Sequence, residues 1–305
     1  MTDCTLVLVT RKTRLQELVE RFNSWAQAKF YLEHNHVDVQ DYIKENELYQ
    51  RQLKEAEQVL RKLGRFQRIE RMMLPSYQFG RTDIVVVVGQ DGLVANTLKY
   101  LNEQPLIAVN PDPKRWDGKL LPFEMAELKD VVNKTARDAV ESRSITMAEA
   151  STNDGQILAA VNDLFIGPKS HTSARYRIAW QDKQEIQSSS GIIVSTGLGS
   201  SGWLQSILAG ARGISGLTNN EQQVGFDWSA QQLRFAVREP FPSQTTGVEC
   251  VYGVITKNCP LKLESLMPEN GVIFSDGLEE DFIQFNAGCI ATIKIASRQG
   301  QLIIR

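Results

Sequence analysis

The run Ile84-Val85-Val86-Val87-Val88, followed by Gly89-Gln90-Asp91-Gly92, constrains the fold more than any other stretch of the chain. Five β-branched residues without a polar interruption make a strand only where both faces are buried, as in the interior of a parallel sheet. Glycines on either side of the Gln-Asp pair let the backbone turn sharply and let a ligand approach its amides. Residues 93–101 then carry helical spacing, so the turn opens a helix whose N–H groups and dipole favour an anion. Asp91 runs against that preference, because a carboxylate repels phosphate. Three uses fit it: a Mg²⁺ ligand, a base that takes a hydroxyl proton, or a helix N-cap.

The first third of the sequence alternates strand and helix. Strands are expected at 5–10, 66–74, 84–88 and 106–110. Helices are expected at 13–27, on Leu15, Leu18, Val19, Phe22 and Trp25, and at 41–63, where Gly64 stops the pattern. Such β-α-β units imply a parallel sheet with right-handed crossovers, with ligands gathered at the carboxyl ends of its strands. Gly89–Gly92 and Asn110–Pro113 both fall on that edge. From about Leu120 the pattern becomes short β-rich pieces at 155–161, 163–166, 174–180, 191–196, 232–238, 246–256 and 271–274. These predict a mostly antiparallel, sandwich-like second domain. The expected organisation is an α/β domain over 1–118, a β-rich domain over 119–290, and C-terminal strands at 291–296 and 301–304 free to return to the first. Two domains imply a cleft, where small ligands most often bind.

Charge narrows the function class. Lys and Arg number 34 against 36 Asp and Glu, and this near balance gives no basic excess to attract a nucleic acid. No apolar run has the length of a membrane span, and no leader is evident, so a cytoplasmic location is expected. Cys4, Cys250, Cys259 and Cys289 are scattered, which suits reduced thiols and not a zinc site. His34 and His36 fall in a polar connection, where solvation explains them better than a metal.

A second set of candidates lies further along. Residues 188–203 run from a strand, Ile192–Val194, into a loop of glycines and hydroxyls and then a helix near Trp203. Its amides and the Ser200 and Ser201 hydroxyls are candidate donors to a polar ligand. Asn162 and Asp163 interrupt an otherwise apolar stretch, so a turn, a loop or a ligand must satisfy them.

Taken in order, these blocks resemble the NAD kinases, most closely their mitochondrial-type branch, within the diacylglycerol kinase-like superfamily. Gly89-Gln90-Asp91-Gly92-Leu93 matches the family's Gly-Gly-Asp-Gly-Thr, and Asn162-Asp163 its Asn-Glu block. Thr196-Gly197-Leu198-Gly199-Ser200-Ser201-Gly202-Trp203 is similar to the branch's Thr-Gly-Thr-Gly-Ser-Lys-Ala-Trp. Residues 109–115 and 237–240 also look like that branch. No Gly-x4-Gly-Lys-Ser/Thr loop is present, so the chain is not a P-loop NTPase.

The resemblance implies a Rossmann-like N-terminal domain, a β-rich C-terminal domain and a site between them. It implies transfer of the ATP γ-phosphate, with Mg²⁺, to the 2′-hydroxyl of the adenosine ribose of NAD. Asp91 would be the base. Gly89, Gln90, Gly92, Asn110, Asn162, Asp163, Thr196, Gly197, Gly199, Ser200, Ser201, Gly202, Trp203 and Ser206 would bind the nucleotides; no metal ligand is identified. A homodimer or homotetramer is implied, acting on small nucleotides, with no nucleic acid or membrane partner. Two positions depart from the family: Gln90 replaces a glycine and Leu93 a threonine. If position 90 needs a positive φ, its side chain costs about 1 kcal/mol or more. Polyphosphate in place of ATP, a related kinase acting on a lipid or sugar hydroxyl, and a non-catalytic NAD or NADP sensor remain open beside the main reading.

Overall fold

The computed structural model describes residues 4–216 and 225–305. The chain divides into two compact units, Met1–Arg143 with Gln301–Arg305, and Ser144–Gly300.

The first unit is built on a parallel sheet. In order it holds β1 (Thr5–Thr10), α1 (Arg14–Phe22), α2 (Trp25–His34), α3 (Val39–Leu63), β2 (Arg65–Glu70), β3 (Ile84–Val88), α4 (Asp91–Leu98), β4 (Pro105–Asn110), β5 (Phe123–Glu124) and α5 (Leu128–Thr135). The sheet runs β4-β3-β1-β2, all parallel, and β5 and the end of the chain pair with the free edge of β4. Every residue of β3 is buried, as its unbroken apolar run requires. α3 turns Tyr49, Leu53, Ala56 and Leu60 into the core at helical spacing, and α5 adds Leu128, Val131 and Val132. Each such side chain withdrawn from water contributes roughly 1.5–3 kcal/mol before entropy is counted. β1 has β2 on one side and β3 on the other, so the winding reverses between β1 and β3. The loops leaving these two strands border the crevice where open α/β sheets hold ligands.

Three features of this unit differ from the sequence reading. The single helix expected over 13–27 is broken. α1 ends on Asn23 at φ 57, and the Ser24 hydroxyl caps α2 by accepting the Gln27 N–H at 3.2 Å. The strand expected to reach residue 74 stops at Glu70 and becomes a 3-10 turn containing Pro75, which has no N–H for a ladder. The unit also continues past residue 118, because β5 pairs with β4 and α5 packs on α3. The chain's end stays with it through Ile304 N–H to Glu141 O at 3.0 Å and Arg305 to Glu127 at 2.8 Å.

The second unit is a sandwich of two antiparallel sheets. Its elements are β6 (Ser142–Thr152), β7 (Ile157–Ala160), β8 (Asp163–Pro168), β9 (Ala174–Trp180), β10 (Lys183–Ser189), β11 (Ile192–Ser195), α6 (Trp203–Ser215), β12 (Leu233–Val237), β13 (Tyr252–Ile255), β14 (Leu261–Ser265), β15 (Gly271–Ser275), β16 (Leu278–Gln284) and β17 (Ile290–Ile303). One sheet runs β10-β9-β14-β17, with β6 on β17 and β7 on β6; the other runs β13-β12-β11-β8-β15-β16. Tyr176, Ile178, Leu261, Leu263 and Ile293 of the first sheet meet Leu164, Ile166, Ile192, Val194, Phe235 and Ile273 of the second in one buried core. α6 lies on the outer face of the second sheet, against β11 and β12. The tail expected as two strands is one continuous strand, β17. Among the described residues no helix is long and apolar enough to cross a membrane.

Candidate functional site

In the first unit the end of β3 is fixed by α3. The Tyr49 hydroxyl donates to Val88 O at 2.9 Å and accepts the Arg11 N–H at 3.1 Å, tying the exits of β3 and β1 to one buried ring. The chain then turns through Gly89 and Gln90 into α4. Gln90 is extended at φ −112, so the strain expected of a side chain at this position does not arise. Gly89 is a glycine for another reason: a Cβ there would stand 2.8 Å from Leu93 Cδ2. Leu93 is buried, so the side chain that replaces the expected hydroxyl packs inward beneath the turn.

Asp91 is not the N-cap. Gln90 occupies that position without a side-chain bond, and Asp91 is the first helical residue. Its Oδ1 accepts the Leu120 N–H at 2.8 Å. The carboxylate is half-buried, and Oδ2 accepts no hydrogen bond among the described residues. Gly92 beside it is exposed, with no atom within 4 Å of where a Cβ would sit. The Asp91 and Gly92 amides stand in the first turn, where no helical carbonyl precedes them, so they are available to an anion.

Both ends of the Asn110 side chain are engaged within its own loop. Its Oδ1 accepts the Asp112 N–H and its Nδ2 donates to Trp116 O, both at 3.0 Å, and the residue is buried. Gly118, at φ 61, passes close by: a Cβ there would lie 2.6 Å from Asn110 Nδ2. Asn110 therefore folds the 110–118 loop on itself, and that loop leads directly to Leu120, whose N–H holds Asp91. Nearby, Arg11 meets Glu45 at 3.1 Å and Arg14 meets Asp41 at 2.9 Å, while Arg115 also pairs with Asp41. The two guanidiniums, Arg115 above all, hold the Asp41 carboxyl well below its usual range.

In the second unit Asn162 and Asp163 sit at the turn between β7 and β8. A carboxylate from 114 residues away organises it: Asp276 accepts the N–H groups of Val161 at 3.1 Å, Asn162 at 2.6 Å and Asp163 at 3.3 Å. Asp276 and Gly277 both have positive φ, the tight hairpin pattern that joins β15 to β16. The turn therefore satisfies its backbone and leaves its side chains over. Neither the Asn162 amide nor the Asp163 carboxylate has a hydrogen-bond partner among the described residues. Burial raises the Asp163 carboxyl to about 7, and the negative charge of Asp276 adds to the rise. Asp276, spent on three amides, is the better-stabilised anion of the pair.

The glycine and hydroxyl loop lies against this turn. Thr196 Oγ1 donates to Val161 O at 2.6 Å and its N–H donates to Asn162 O at 2.9 Å. A Cβ on Gly199 would collide with Asn162 O, and one on Gly197 with Asp227 O, so both glycines serve close backbone packing. The Ser200 hydroxyl, expected as a donor to a ligand, is instead buried and donates to Gly197 O at 2.6 Å. Ser201 and Gly202 are exposed. Ser206 is exposed on α6, its hydroxyl 3.4 Å from Gly202 O, and Trp203 stacks on Phe165 with ring centres 5.7 Å apart. A cavity of about 420 Å³ is bordered by Gly197, Ser200, Ser201 and residues 225–228. Asp276 is the residue that the sequence reading missed; its only local signal is the Asp-Gly turn pair.

Among the described residues no cluster of three His, Cys, Asp or Glu side chains stands ready to hold a metal. The set does fit Mg²⁺ carried on a polyphosphate, which takes most ligands from phosphate and water and needs one or two carboxylates from protein. Asp91 supplies one.

No family model and no curated protein matches the sequence. Solved structures do. Yeast NADH kinase, complexed with NADH, shares 13% identity at a TM-score of 0.60, covering 99% of this chain and 84% of its own. An NAD kinase from Archaeoglobus fulgidus, in complex with ATP, shares 13% identity at a TM-score of 0.56, covering 98% and 92%. At this identity the likeness establishes the fold: a mixed α/β unit and an antiparallel unit, as in those kinases.

Proposed function

We propose that the chain is an NAD kinase, transferring the γ-phosphate of ATP to the 2′-hydroxyl of the adenosine ribose of NAD. One observation carries the reading: a half-exposed carboxylate, Asp91, is held through a single oxygen at the first turn of the helix that follows the central strand. One bonded oxygen fixes its direction and the other is left to accept a proton. The turn beside it is open at Gly92, as an approaching phosphate requires. The fold shared with an NADH kinase and an NAD kinase supports the substrate class.

In this reading Asp91 takes the proton of the ribose hydroxyl as its oxygen bonds to the γ-phosphorus, and the bond from that phosphorus to the bridging oxygen breaks to release ADP. The Asp91 and Gly92 amides orient phosphate oxygens. Asn162 and Asp163 bind NAD, their side chains being left over by the protein's own hydrogen bonds. Bound Mg²⁺ would offset the charge of the triphosphate. Gln90 and Leu93 are compatible with activity, since one is unstrained and the other packs inward.

The test is direct. Purified protein given NAD, Mg²⁺ and either ATP or polyphosphate is expected to form NADP. Failure with every donor, while NAD still binds, would replace this reading with that of a non-catalytic sensor.

A further inference from the structure

The outer face of the β13-β12-β11-β8-β15-β16 sheet carries a second concavity, of about 300 Å³, at the start of α6. Its walls are aromatic. Phe165 lies parallel to Trp203, with ring centres 5.7 Å apart, and meets Phe274 at 4.8 Å; Phe282 of β16 completes the set. These rings form a cluster separate from the core between the sheets, and Trp203, Phe274 and Phe282 keep part of their surface open. Two cations line it, Lys169 and Arg238, and His171 stands beside them. Lys169 Nζ stands 4.6 Å from the Phe282 ring centre and the Arg238 guanidinium 5.4 Å from that of Trp203. Among the described residues neither cation has a carboxylate partner and no acid lines the cavity.

We propose that this cavity is a binding site for a planar aromatic ring bearing a phosphate, of mononucleotide size. Flat hydrophobic walls select a ring by stacking, and basic groups at the same mouth select its anion. Aromatic side chains accept any base by stacking, because every base has a π-face. A volume at the small end of ligand pockets favours one nucleotide over two. Of the residues expected to bind the nucleotides only Trp203 reaches this cavity, and neither the Asp91 turn nor the Asn162–Asp163 turn lines it, so this inference stands whether or not the chain phosphorylates NAD.

The probe is adenosine 5′-monophosphate, titrated by calorimetry into the full chain. Adenosine serves as the ring without charge, and inorganic phosphate as the charge without a ring. AMP is expected to bind about tenfold or more tightly than either. Lys169→Glu and Phe282→Ala are each expected to weaken AMP by about tenfold or more, with melting curves confirming that they fold. Lys129→Ala, an exposed change on α5 of the first unit, is expected to leave AMP affinity unchanged. AMP affinity equal in wild type, Lys169→Glu and Phe282→Ala would overturn the site. So would the absence of saturable binding, or sedimentation and cross-linking that show a second copy covering these rings.

Discussion

Gly92 in the first unit and Gly199 in the second show how differently one residue type is used. A Cβ at Gly92 meets nothing, whereas one at Gly199 strikes a backbone oxygen. Gly199→Ala is therefore expected to destabilise the second unit by about 1–3 kcal/mol, the usual penalty for forced overpacking. Gly92→Ala is expected to stay within about 0.5 kcal/mol of wild type; urea melts of both variants check the contrast. Asp163 is the second residue with a clear signature. Its carboxyl rises from 3.8 to about 7 in the folded chain, so between those values the folded state keeps a proton that the unfolded chain has lost. Stability from this group is thus full at low pH and falls as pH rises through that window. Asp163→Asn cannot titrate. Its melting temperature is expected to gain on wild type from pH 4 to pH 7; parallel curves would show that Asp163 does not hold the proton. At this scale the sequence was informative about chemistry and silent about partners. Asp91 was visible from its glycines, but Asp276 acts across 114 residues, and no local pattern marks a carboxylate that will hold distant amides.

Elements were legible where burial is total or strictly alternating. The bounds expected for β1 and β3 are the observed ones, because unbroken apolar runs end where burial ends. The strands that escaped notice include β10, which reads Lys-Gln-Glu-Ile-Gln-Ser-Ser and lies at the edge of its sheet, where polar residues are tolerated. α2 was hidden in a longer helical pattern, although Asn23 and Ser24 are together a stop and a start. α3 matters most to the site, since Tyr49 ties it to Val88, one residue before the turn. Tyr49→Phe leaves a buried carbonyl and the Arg11 N–H without their partner, at a cost of about 1–3 kcal/mol. If α3 positions the turn, kcat for NADP formation should fall more than NAD affinity does; a loss of stability with kinetics intact would make Tyr49 only a brace.

On the scale of the whole molecule, the sequence placed the change from parallel to antiparallel architecture correctly in kind, but early. The residues after 118 look like short β pieces, yet β5 and α5 complete the first unit, and the last five residues return to it. Such closure depends on pairing between segments remote in sequence, which composition does not record. Ligand binding reads out the molecule as one system. NAD or ATP at about a hundred times its dissociation constant should stabilise the chain by about 2.7 kcal/mol through linkage alone. Thermal melts with each nucleotide measure this, and no shift with either would contradict nucleotide binding.

The most direct measurement compares NADP formation by wild type and Asp91→Asn under saturating ATP, Mg²⁺ and NAD. Asparagine keeps an acceptor for the Leu120 N–H, so the fold and NAD affinity should persist while the rate falls by about 10²–10⁴. A variant that makes NADP at the wild-type rate would show that Asp91 is not the base.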